Sequence, residues 1–127
     1  MFSILTVDDS PSIRQLVAFS LANAGYQVFE AADGNEALDR ARENVIDLVL
    51  TDQNMPNLDG VGLVKALREL PEYKTTPIFI LTTEPSDAVR MSANDAGVTG
   101  WIEKPFALQY VIDVVDSLFV GKSPRAM

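Results

Sequence analysis

The chain has 127 residues, 47% of them hydrophobic, which suits one domain with a sizeable core. Its 18 acidic against 10 basic residues leave a net charge of -8, which repels phosphate backbones and anionic lipid and argues against nucleic acid or a membrane surface as partner. With no cysteine and no histidine, disulfides, thiolate chemistry, histidine-ligated zinc and Ser-His catalysis are excluded; with no basic-then-apolar leader, the expected location is the cytoplasm.

In chain order, the first apolar run is Phe2 to Val7, followed by Asp8-Asp9-Ser10-Pro11, where serine suits an N-cap and proline the first helical position. Ile13, Leu16, Val17, Phe19 and Ser20 then recur at helical spacing up to a stop at Gly25. Val28 to Ala31 reads as a second strand, Asp33-Gly34 precedes a second helix through Ala37, Leu38 and Ala41, and Ile46 to Thr51 is a third strand ending at Asp52. A third helix runs through Val61, Val64 and Leu67. A fourth strand spans Pro77 to Leu81, a fourth helix Ala88 to Ala96, a fifth strand Gly100 to Ile102 and a fifth helix Leu108 to Leu118. Five strands alternating with five helices imply an α/β fold, a parallel sheet covered on both faces by right-handed crossovers. Residues 1–119 form the expected domain, and 120–127 read as a loose tail.

Open α/β sheets place ligands beyond the carboxyl ends of their strands. Four of the five predicted strands end there in polar groups: Asp8 and Asp9, Asp52, Thr82 and Thr83, and Lys104. Each has a plain structural use, such as a helix cap, a turn residue, a strand terminus or a solvated charge. Together they describe a site. Crowded carboxylates repel, and a hard divalent cation relieves them; magnesium, which takes one or two carboxylates and leaves room for a phosphate oxygen, fits Asp8, Asp9 and Asp52 better than calcium. Asp52 can then act as nucleophile toward phosphorus, with Lys104 as cation and the Thr82 hydroxyl as donor.

The motifs Val7-Asp8-Asp9-Ser10, Leu50-Thr51-Asp52, Asn54-Met55-Pro56-Asn57-Leu58-Asp59-Gly60, Ile80-Leu81-Thr82-Thr83 and Lys104-Pro105-Phe106 resemble, in order and spacing, the receiver domains of bacterial two-component response regulators, and among them the single-domain chemotaxis receivers of the CheY type. The resemblance implies a flavodoxin-like strand order 2-1-3-4-5 and a phosphorylation-activated switch rather than an enzyme, with slow autodephosphorylation at most. It implies Asp52 as phosphoacceptor, magnesium held by Asp9, Asp52 and the main-chain carbonyl of Asn54 with Asp8 assisting through water, and a cis Lys104-Pro105 bond. Asn54 and Glu84 occupy the positions that tune dephosphorylation. Thr82 and Trp101 occupy the switch positions, and Trp101 stands where Tyr, Phe or His is usual. Its bulk opposes a full inward rotation, and Thr83, where alanine is common, narrows access to the phosphoryl group. The implied partners are a CheA-like histidine kinase as phosphodonor and an output protein, such as the flagellar motor switch, at helix four, strand five and helix five.

Two rivals fit less well. An aspartate-nucleophile phosphohydrolase of the haloacid dehalogenase type carries a second aspartate two residues after the nucleophile, where this chain has Asn54. A docking module that no longer accepts phosphate typically lacks the acceptor aspartate or the lysine.

Overall fold

A computed structural model describes residues 1–83 and 86–125. The strands are β1 (Ser3–Val7), β2 (Gln27–Ala31), β3 (Leu48–Asp52), β4 (Ile78–Thr82) and β5 (Gly100–Glu103). They alternate with α1 (Pro11–Asn23), α2 (Gly34–Glu43), α3 (Gly60–Glu69), α4 (Asp87–Ala96) and α5 (Leu108–Phe119). All pairings are parallel and the order is β2-β1-β3-β4-β5, as expected.

Alternate residues of each strand feed two separate cores. Leu5, Val7, Val49, Ile78 and Ile80 face Ala37, Leu63, Val64, Leu67 and Ala93 of α2, α3 and α4. Ile4, Leu48, Leu50, Leu81 and Ile102 face Val17 and Leu21 of α1 and Val111 and Val115 of α5. This period of two, with apolar residues on both faces, is what a parallel sheet between two helical layers requires.

The helix starts follow from side-chain oxygens. Asp33 accepts from Glu36 N at 2.8 Å to cap α2, Asp59 from Gly62 N at 2.8 Å to cap α3, and Ser86 from Val89 N at 3.2 Å to cap α4. Ser10 occupies the cap position of α1 without a side-chain cap bond, and Pro11 starts that helix instead. Helix α4 ends at Gly97, whose φ of +97° is the left-handed value a C-terminal glycine supplies, and Gly25 after α1 has φ +103°.

Helix α1 buries Val17, Ala18 and Leu21, while Ile13, Leu16 and Phe19 are exposed, Phe19 at 66%. Val17 and Leu21 of this face pack in the core with Val111 and Val115 of α5. Beyond α5, Arg125 lies against the domain. The Arg125 main chain donates to Asp47 Oδ1 at 2.9 Å, and its side chain reaches the loops before β3 and β4. A 3-10 turn at Pro71–Tyr73, unforeseen in the sequence, receives it.

Candidate functional site: an acidic pocket at the strand ends

Strand register brings the polar ends together. Val7 pairs with Thr51, Asp52 with Leu81 and Thr82 with Glu103, so Asp8, Asp9, Asp52 and Lys104 converge at one edge of the sheet. Carboxylate oxygens of Asp8, Asp9 and Asp52 lie within 4.8 Å of one another. Lys104 Nζ stands 3.2 Å from Asp52 Oδ1 and 3.6 Å from Asp8 Oδ2. Asp8 is buried, Asp52 half-buried and Asp9 exposed, which opens the pocket to solvent on the Asp9 side.

The backbone holds these groups in place. Asp8 Oδ1 accepts from Ser10 N at 2.9 Å, and Arg14 Nη1 donates to the Asp8 carbonyl at 2.8 Å while its Nε contacts Glu30 Oε1 at 3.2 Å. Asp52 Oδ1 accepts from Gln53 N at 2.9 Å. The buried Gln53 side chain accepts from Val61 N at 3.0 Å, and its carbonyl accepts from Gly60 N at 3.0 Å. Gly60 is required there, since a Cβ would stand 2.6 Å from the Asp52 carbonyl oxygen. Asn57, at φ +69°, donates to Asp33 Oδ2 at 3.0 Å and so ties the loop after Asp52 to the start of α2. Arg14, Gln53 and this tie escaped the sequence reading. Only Asn57, as an αL-tolerant residue in a turn, carried a signal there.

Burial pushes the Asp52 carboxyl above its ordinary value; Lys104 pulls it back and the Asp8 charge pushes it further up. A site that disfavours its own ionised carboxylate is one that a cation stabilises. The donor set is all oxygen, with two carboxylates at least partly solvent-accessible, and this fits magnesium keeping several waters.

Thr82 is buried at the end of β4, and its carbonyl accepts from Lys104 N at 2.8 Å, which couples the two loops. The Lys104-Pro105 bond is cis. Thr83 is exposed, on the rim of a groove it shares with Ile13, Leu16, Pro105 and Phe106. Asn54 is exposed beside the pocket. Trp101 is half-buried on β5 against the α2-α3-α4 core, with Arg90 Cζ of α4 5.8 Å from its ring centroid. Glu84 lies outside the described residues.

Residues 4–116 match the family model described as the response regulator receiver domain. The chain belongs to the receiver domain family of response regulators. It is similar to chemotaxis protein CheY1 of Helicobacter pylori, 41% identical over 108 residues, which are 84% of this chain and 87% of that one. Among solved structures it is similar to chemotaxis protein CheY4 of Vibrio cholerae (TM-score 0.88, 44% identity, 92% of this chain and 98% of that one) and to a response regulator protein of Burkholderia multivorans (TM-score 0.78, 48% identity, 100% and 99%). As a receiver, the chain is a phosphorylation-activated signalling switch, and its partners are a histidine kinase as phosphodonor and a downstream effector. Receiver domains bind magnesium at an acidic pocket, and the Asp8, Asp9 and Asp52 cluster has the chemistry for it. No helix among the described residues is long and apolar enough to cross a membrane.

Proposed function

We propose that Asp52 is the phosphoacceptor of a chemotaxis receiver, and that Lys104 and Thr82 bind the phosphoryl group once it is there. The observation that carries the reading is the Lys104 ammonium 3.2 Å from Asp52 Oδ1 at the centre of a three-carboxylate cluster. An Asp52 oxygen forms a bond to phosphorus as the P–N bond of the kinase's phosphohistidine breaks, and the electron pair leaves with the imidazole nitrogen. Asp8, Asp9, Asp52 and the main-chain carbonyl of Asn54 would hold magnesium, which when bound offsets the charge on the phosphoryl oxygens. Lys104 supplies a point charge on the same oxygens, and the Thr82 hydroxyl donates to one of them.

Drawing Thr82 toward the phosphoryl group alters the space beneath Trp101, and the surface of α4, β5 and α5 changes with it. This is a population shift, driven only by the difference in interaction energy between two states. Asn54 and Glu84 set the lifetime of the phosphorylated form. The role is that of a switch and not of an enzyme. The phosphodonor is a CheA-like kinase, the output partner is the flagellar motor switch, and the location is the cytoplasm; the identity to chemotaxis receivers over most of both chains supports this choice.

The test is label transfer from an autophosphorylated CheA-like kinase, followed by binding to a flagellar switch protein. Transfer within seconds and tighter binding of the phosphorylated form are expected. Rapid transfer without any gain in binding would move the chain to another phosphorelay. No transfer from any histidine kinase would remove the reading.

A further inference from the structure

The end of the sheet away from the acidic pocket holds a group of polar acceptors that the switch does not use. Ile46 O lies just before β3, Thr76 Oγ1 just before β4 and Glu72 O in the 3-10 turn; the Tyr73 ring lies beside them. Arg125 Nη1 donates to Ile46 O and to Thr76 Oγ1, both at 2.9 Å, and Nη2 to Glu72 O. Its Cζ stands 5.1 Å from the Tyr73 ring centroid.

We propose that this pole is a preformed binding site for an arginine side chain, and that this chain's own Arg125 is its resident, releasable ligand. The chemistry is specific. The cradle offers acceptors in a fan, which matches a planar guanidinium with five donors, and an aromatic face on which that plane can lie.

The cradle does not depend on Arg125 for its shape. The Tyr73 hydroxyl lies 2.6 Å from the Ala41 carbonyl and 2.7 Å from that of Asn44, and Ile46 N donates to it at 3.3 Å. Asp47 Oδ2 accepts from Ser3 N at 2.8 Å. Arg68 Nη1 donates to Tyr73 O and Thr76 O at 2.6 and 2.7 Å. Asp47, Tyr73 and Thr76 are buried, at 6%, 2% and 4% exposure, whereas Arg125 is exposed and outside both cores. The receptor is therefore fixed by the fold and its ligand sits on the surface, so the segment after α5 can leave without disturbing either core.

The test uses full-length Arg125→Ala and Arg125→Lys, read by amide NMR at Ser3, Asp47, Tyr73 and Thr76. Both variants should shift these signals, while amides around the acidic pocket stay in place. A peptide with the sequence of residues 122–127, Lys-Ser-Pro-Arg-Ala-Met, added at millimolar concentration should return the signals of Arg125→Ala toward the native positions and saturate. The same peptide with alanine for arginine should not. Signals unmoved in Arg125→Ala would overturn the site itself. Native signals in Arg125→Lys would overturn its preference for guanidinium, and failure of the arginine peptide to restore them would overturn a preformed receptor.

Discussion

In metal-free protein Asp52 ionises against its surroundings, since burial and the Asp8 charge raise its carboxyl and Lys104 offsets only part of this. A carboxyl whose folded pKa lies above its unfolded value contributes stability that is present at low pH and lost as pH rises through the folded value. Asp52→Asn, uncharged at every pH, should therefore melt a few degrees higher than the parent at pH 7 in chelator, and the gain should vanish below pH about 4, where the parent is also protonated. Magnesium should reverse the ranking, because it binds the parent more tightly and ligand binding raises apparent stability. A melting temperature for Asp52→Asn equal to or below that of metal-free parent at neutral pH contradicts this account of the pocket. Thr82 poses a separate test. Thr82→Ala should fold and still accept phosphate, but lose the phosphorylation-dependent rise in partner binding; a normal rise would show that coupling runs elsewhere.

Helix α2 joins stability to the site through one carboxylate. Asp33 caps the helix at Glu36 N and accepts from Asn57 in the loop that follows Asp52. The Glu36 amide first, then Asn57, hold its carboxyl below the ordinary value. Here the sign is the opposite of that at Asp52: the contribution is present above the unfolded pKa near 4 and lost as pH falls through the lowered folded value. Asp33→Ala should cost about 1 kcal/mol at pH 7, the usual cost of a lost N-cap, and less at pH 3. Urea unfolding at both pH values decides it, and a penalty that grows on acidification would contradict the assignment. Elements of this kind were legible in the sequence where one period dominated. The strands announced themselves because both faces are apolar, and α2 and α3 because only one stripe is. Helix α1 was less legible, because Ile13, Leu16 and Phe19 are apolar yet exposed, so apolar spacing alone does not single out the buried face of Val17, Ala18 and Leu21. The strand-end residues Asp8, Asp9, Asp52 and Lys104 could be placed together because register in a parallel sheet aligns strand ends. Gln53 and Arg14 could not, since their roles depend on reaching Val61 N and the Asp8 carbonyl from other parts of the fold.

Across the whole molecule, the proposed switch would couple the pocket to the α4-β5-α5 surface through Trp101, the only tryptophan. Its ring lies between the α2-α3-α4 core and Arg90, three residues before Lys104. Magnesium should change its emission, and phosphorylation should change it again as the rotamer population shifts. Emission unchanged at both steps, in protein shown to be phosphorylated, would remove Trp101 from the mechanism. The more direct measurement is the intact mass of the protein after treatment with a small acyl phosphate, with magnesium and with chelator, beside Asp52→Asn. One phosphoryl group should appear on the parent in magnesium, little in chelator and none on Asp52→Asn. A magnesium-dependent phosphoryl adduct that persists on Asp52→Asn would contradict Asp52 as the acceptor.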